Sequence, residues 1–321
     1  MGISAIKKYF LYLPLTITAL TLTSCGGDDN SSDDGSKGGN GGNVRNFNCN
    51  IATVSNPEIT CLQYPRLRGG NSKVITHSSK GFGVNYSVEW DSDIKSQRWT
   101  CYILTKENSK KKVSRYYGDK DAIPGAANSS YPFDPNLSAG EYWDDDYYYG
   151  SGFDHGHICP SNDRLYNNEV NYQTFFLTNM QPQYSVFNGS SSAHKFSGLW
   201  INMEDFVYNT GKNLKDGDTL FICKGGTIDK ESQILTRIKG KLIVPKYFFC
   251  TLLLKDSRGL RTLGFWFEHS NVYHGDDPLV DYTMTIDEIE QLTGIDFFCN
   301  LPDDTEEKVE KKCYPIDWGL K

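Results

Sequence analysis

An α+β fold, built on a mixed, largely antiparallel central sheet with flanking helices, is what this 321-residue sequence predicts. Three observations carry that expectation. Aromatic and β-branched runs of strand length recur at Phe82–Trp90, Arg98–Leu104, Thr174–Asn179, Thr219–Gly225, Leu242–Leu254 and Arg261–Phe267. Helical stretches are fewer, the clearest being Ser197–Tyr208 and Ile286–Thr293, where Thr285 is placed to cap and Glu288 stands three residues on. Finally, residues 44–321 contain no second low-complexity linker and no internal repeat, so they suffice for one large domain.

The chain begins with a targeting pattern rather than with fold. Lys7 and Lys8 precede an apolar run, Tyr9–Leu22, that is shorter than the roughly 20 residues a spanning helix needs. It ends in Leu22-Thr23-Ser24-Cys25, which resembles a bacterial lipoprotein processing box. Residues 1–24 then read as a lipoprotein signal peptide and Cys25 as the lipidated residue, with a plain secretory signal as the alternative. Residues 25–43, the cysteine followed by a stretch that is Gly, Ser, Asn and Asp apart from Lys37, have a composition that buries no core and behaves as a flexible tether. This implies export and anchoring to the outer membrane, on its periplasmic or cell-surface face. Residues 44–61 form a cysteine-containing lead-in without an assignment, and 62–321 form the main domain.

Nine cysteines include Cys25, leaving eight. In an exported chain that even number suggests disulfides, with Cys49–Cys61 and Cys299–Cys313 expected because short loops favour encounter. Spacing of the C-x₂₋₄-C kind, which would suggest zinc, is absent. The net charge of −7 argues mildly against a nucleic-acid partner. The basic run Lys106–Arg115 pulls the other way. It is read either as a solvated hairpin tip or as a contact to phosphates.

The segment Gly152-Phe153-Asp154-His155-Gly156-His157-Ile158-Cys159-Pro160-Ser161-Asn162-Asp163-Arg164 concentrates chemistry. Two of the chain's six histidines lie two positions apart, on one face if the segment is a strand. Imidazole is the side chain whose ordinary pKa makes it a base near neutrality. Thr178-Asn179-Met180-Gln181-Pro182-Gln183, Phe187-Asn188 and Trp200-Ile201-Asn202-Met203-Glu204 follow in order. This ordered set resembles the DNA/RNA non-specific endonuclease family, whose ββα-metal site carries a D-R-G-H motif. The similarity extends over roughly residues 62 to 316.

The resemblance implies a set of roles. His157 is the general base that deprotonates the attacking water. Asn188 is the ligand of Mg²⁺, an ion that keeps several waters, with Mn²⁺ or Ca²⁺ as alternatives. Glu204 orients a cation-bound water. Asn179 and Gln183 occupy polar positions of the second segment, Gln183 facing substrate, and Pro182 fixes the turn. Arg164 is either a phosphate partner or an internal ion-pair member with Asp154 or Asp163, and Asp154 orients its neighbours. The implied substrates are DNA and RNA. No protein partner is expected.

Two departures stand out. His155 occupies the position of the family's phosphate-stabilising arginine and would serve there only if protonated. The stretch Gly189–Gly198 looks like an insertion that separates Asn188 from Glu204. Two further readings stay open: a phosphodiesterase acting on small nucleotides, and a binding lipoprotein with a degenerate nuclease fold.

Overall fold

A computed structural model describes residues 45–118, 126 and 129–321. The signal peptide, Cys25 and the tether lie outside the described residues. Among those described, the strands are β1 (Ser72–Ser79), β2 (Gly83–Asp91), β3 (Ser96–Leu104), β4 (Asp154–His157), β5 (Met180–Gln183), β6 (Thr219–Gly226), β7 (Ile234–Ile238), β8 (Leu242–Pro245), β9 (Tyr247–Asp256), β10 (Gly259–Glu268) and β11 (Thr283–Met284). The α-helices are α1 (Asn168–Gln173), α2 (Ser185–Asn188), α3 (Leu199–Lys212), α4 (Ile286–Thr293) and α5 (Asp303–Glu310).

The central sheet runs β1-β2-β3-β6-β9-β10-β11. Every pairing in it is antiparallel, so the sheet is not mixed. Its middle strands are apolar on both faces because both faces are covered. On β9, Phe248, Cys250, Leu252 and Leu254 enter one core, while Phe249 and Leu253 enter another. That period of two on a doubly covered strand produces a continuous apolar run. The first core is closed by α3 through Leu199, Trp200, Met203 and Val207. The second is closed by Ile286 and Ile289 of α4, by Phe297 in the connection that follows it and by Val309 of α5. Each fully buried side chain of this size contributes about 1.5–3 kcal/mol.

Several sequence expectations change on contact with tertiary structure. Leu242–Leu254 is two strands, β8 and β9, pairing with different partners. Thr174–Asn179 is not a strand. Phe175 and Leu177 are buried in a third, smaller aromatic cluster. Around them Asn179 supplies the bonds a ladder would have supplied: its Oδ1 accepts from Cys159 N at 2.8 Å and its Nδ2 donates to Cys159 O at 2.8 Å and Thr174 O at 2.7 Å. Helix α4 has the expected capping box, Glu288 N donating to Thr285 Oγ1 at 3.2 Å and Thr285 N to Glu288 Oε2 at 2.9 Å.

The lead-in folds with the domain. Asn50 bridges to Ile59 O and Pro65 O, and Asp303 N donates to Arg45 O. Neither expected disulfide forms: all eight cysteines are free thiols. Cys299 sits against Tyr64 O, whereas Cys313 packs on the opposite core, so the sheet separates that pair. No helix among the described residues is long and apolar enough to cross a membrane.

Candidate active site

Strand β4 places Asp154, His155, Gly156 and His157 in a two-stranded ribbon with β5, Asp154 opposite Gln183 and His157 opposite Met180. The alternation of a strand sends His155 and His157 to the same side, where both line a cleft of about 760 Å³. Gly156 points the other way. A Cβ there would sit 2.3 Å from the Gln183 side chain, so only glycine lets the ribbon close.

The cleft also receives Lys111, Arg115, Tyr131, Asp154, Asn188 and Glu204. The Gly189–Gly198 stretch does not pull the last two apart. Gly189 ends α2 in a left-handed conformation (φ 88°). Gly198 returns the chain so tightly that a Cβ would meet Val186 O at 2.5 Å and Phe187 O at 2.7 Å. Helix α3 is then tied to β4 by Trp200 Nε1, which donates to His157 O at 3.1 Å. Glu204, one turn beyond Trp200, faces the cleft as a result.

Asp154 organises the cation side. It accepts from Ser185 Oγ at 2.9 Å, from Asn188 Nδ2 at 3.0 Å and from Ser190 Oγ. A carboxylate accepts but does not donate, so Asn188 must turn its amide nitrogen to Asp154 and its carbonyl oxygen to the cleft. A carbonyl oxygen held in this way, beside Glu204, suits a hard cation that retains much of its water.

His157 has no partner for its buried Nε2, while its ring meets the His155 backbone carbonyl and packs edge-on to Phe175 at 4.9 Å. Burial, the Arg115 charge and His155 hold its pKa well below the ordinary histidine range, so it is neutral at pH 7 and ready to accept a proton. For Glu204, burial pushes the carboxyl up to about 7, while Lys224 pulls it down from 3.3 Å away. Lys224 is fully buried over the Trp200 and Tyr102 rings.

Other expected site residues have different roles. His155 lines the cleft but is stacked between Tyr131 at 3.6 Å and Tyr148 at 3.9 Å, its Nε2 engaged with Asp145 Oδ1 at 2.6 Å. Burial lowers its pKa although Asp145 opposes the shift, so it does not replace a phosphate-binding arginine. Arg164 is buried beneath the cleft and spends its guanidinium on the carbonyls of Asp163, Asn85 and Ile103; it is a structural residue, not a substrate contact. Gln183 is fully buried against Gly156 and does not reach the cleft. Asn179, also fully buried, staples the loop after β4 and touches no substrate space.

Arg115 is the cation that inspection of the motif missed. It stands exposed on the cleft wall, bonded to Ser161 Oγ and lying 4.8 Å over Phe175. The basic run was its signal. That run divides: Lys106 and Lys110 pair with Asp216 and Glu107 at the tip, whereas Lys111 and Arg115 turn into the cleft.

Comparison with known proteins identifies the family. Residues 70–304 match the family model described as DNA/RNA non-specific endonuclease. The chain is 32% identical over 174 residues to a nuclease from Nostoc sp., covering 51% of this chain and 57% of that protein. It is 26% identical over 159 residues to nuclease C1 of Cunninghamella echinulata, covering 48% and 60%. With human mitochondrial endonuclease G it shares 25% identity over 162 residues, covering 48% and 51%. The matches thus span about half to three-fifths of these relatives' lengths. Among solved structures, a chain of an EndoG/EndoGI complex superposes with a TM-score of 0.56 at 17% identity, covering 73% of this chain and 89% of that one.

Proposed function

Because the chain belongs to the DNA/RNA non-specific endonuclease family, we propose that it hydrolyses phosphodiester bonds of DNA and RNA without sequence specificity. One observation carries this reading: His157, Asn188 and Glu204, distant in sequence, line a single cleft together with Arg115 and Lys111.

Each residue then has a task. Neutral His157 accepts the proton of the attacking water. Arg115 and Lys111 face the phosphate and offset the charge that grows on its oxygens. Asn188, its amide held by Asp154, would hold a divalent cation, for which Mg²⁺ is the best fit, and that cation would supply Lewis-acid stabilisation of phosphate charge. Ionised Glu204 accepts a hydrogen bond from water and orients it.

The N-terminal segment supports a second part of the proposal, that the enzyme is exported and held on the outer membrane by a lipid on Cys25. Labelling with a radioactive fatty acid, retained by the wild type and lost in Cys25→Ala, tests it.

The catalytic proposal is tested by incubating the protein with supercoiled plasmid and with RNA, in Mg²⁺ or EDTA. Cleavage is expected in Mg²⁺ only, with His157→Ala slower by about 10²–10⁴-fold. Absence of cleavage of both polymers between pH 5 and 9 refutes it. Turnover of a dinucleotide ester in that case identifies a small-substrate phosphodiesterase, and DNA binding without turnover identifies a binding protein.

A further inference from the structure

Helices α4 and α5 cover the face of the sheet opposite the cleft layer. Alongside their apolar contacts they bring three carboxylates together: Asp287 and Glu290, three residues apart on α4, and Glu310 at the end of α5. One oxygen from each lies within 4.8 Å of the others. Opposed ligands of an ion at a Ca²⁺–oxygen distance of roughly 2.4 Å stand about 4.8 Å apart, so the three oxygens are no farther from one another than two ligands of such an ion can be.

Glu310 makes this more than an acidic patch. It is 4% exposed, and its Oε1 is buried with no hydrogen-bond partner. Glu290 commits only Oε1, which accepts from Phe297 N at 2.7 Å. Among the described residues no Lys, Arg or His pairs with any of the three; Lys311, next to Glu310, turns instead to Glu307. The neighbouring Asp296 and Glu306 differ, because Asn48 Nδ2 donates to both at 3.0 Å. Burial and mutual repulsion push Glu310 up to about 10 and Glu290 up to about 8. Buried carboxylates so placed need either protons or a cation to offset their charge. Asp287 and Glu290 are only half-buried, which leaves a path from solvent.

We propose that Asp287, Glu290 and Glu310 form a structural site for a Ca²⁺-class divalent cation that clamps α4 to α5. The donors are all carboxylate oxygens, up to two each from Asp287 and Glu310 and Oε2 of Glu290, which suits the large and flexible coordination shell of Ca²⁺. Mg²⁺ fits less well, since it demands near-octahedral geometry and keeps its waters. No ligand of this site lines the cleft, so the clamp acts on stability and not on the reacting atoms.

The test is thermal unfolding of the EDTA-stripped protein, titrated with Ca²⁺ alone or Mg²⁺ alone. Wild type, Glu310→Gln, Asp287→Asn and Asn188→Ala are compared, the last removing the cleft ligand. Ca²⁺ should raise Tm by about 5 °C at saturation in both wild type and Asn188→Ala. In EDTA, Glu310→Gln should melt higher than wild type near neutral pH, because the amide needs no proton to be neutral in the fold, and it should not respond to Ca²⁺. Asp287→Asn, at the solvent edge, keeps the test readable if Glu310→Gln does not fold; its Ca²⁺ midpoint should rise at least tenfold. A Tm of Asn188→Ala that is flat to Ca²⁺, or a Ca²⁺ response unchanged in Glu310→Gln, overturns the site and leaves protons as the compensating charge. Equal responses to Ca²⁺ and Mg²⁺ at equal concentration overturn the assignment of the ion class.

Discussion

Asp154 illustrates how much of this cleft depends on one carboxylate. Because it can only accept, it decides which end of the Asn188 amide faces the cleft. Asp154→Asn removes that constraint, and the Mg²⁺ concentration needed for half-maximal cleavage should rise about 10–100-fold. Ser190→Ala, which removes one donor to the same carboxylate, should leave it nearly unchanged; equal effects would show that Asp154 acts through general loop packing. Glu204 sets the pH response. His157 is held well below the ordinary histidine range by burial and the Arg115 charge, so the acid limb near neutral pH is assigned to Glu204, whose carboxyl is pushed by burial up to about 7. Its raised pKa means the ionised form appears only as pH climbs through that value. The rate should therefore rise with pH around 7, and the limb should vanish in Glu204→Gln. A limb that persists in that variant assigns the titration elsewhere. Asp154, His157, Asn188 and Glu204 were legible as a set through the family resemblance that the ordered motifs carry, although the Gly189–Gly198 stretch departed from its spacing. The positions of Arg164 and Gln183 were not, because nothing local distinguishes an arginine facing phosphate from one folded beneath a sheet among three backbone carbonyls.

At the scale of elements, the cleft is a junction of a ribbon and two helices, and its precision lies in close approaches. Gly198 has an extended backbone, φ 179°, so any residue is conformationally tolerated there. Space alone selects glycine, since a Cβ would press on Val186 O at 2.5 Å. Gly198→Ala should cost about 1–3 kcal/mol, a fall in Tm of roughly 3–10 °C for a domain of this size. It should also lower cleavage more than that stability loss explains, because α2 and α3 carry Asn188 and Glu204. A variant as stable and active as wild type would show that the chain absorbs the shift in the Gly189–Gly198 loop. Helix α4 was readable to the residue, its start from Thr285 and Glu288, since caps are local chemistry; the structure adds Gly294 in a left-handed conformation at its end. The Thr174–Asn179 run misled because apolar residues without a ladder partner look like a strand until Asn179 is seen taking the backbone bonds.

Over the whole molecule, charge is distributed by face. The net −7 coexists with a cleft that offers two cations, Lys111 and Arg115, to a phosphate backbone. A plot of log kcat/KM against log salt on duplex DNA should then have a slope of about −2, near −0.9 for each phosphate contact. A slope of −6 or steeper would mean that a longer basic track lies elsewhere on the surface. On the other face, the helices carry the carboxylates of the α4–α5 cluster, away from the substrate. Covering both faces of the sheet is what keeps the two electrostatic regions separate.

Sequence alone determined the α+β class and the common face of His155 and His157, and its ordered motifs carried the resemblance to the family and, through it, the candidate set His157, Asn188 and Glu204, since strand alternation, caps and motif order are properties of short stretches. Only the tertiary structure decided that His155 is stacked and neutral, that Arg115 turns into the cleft, that Lys224 sits beneath Glu204 and that Cys299 and Cys313 lie on different cores. The physical reason is that burial, partner choice and charge compensation are set by residues tens to hundreds of positions away, which pairing across the sheet brings into contact.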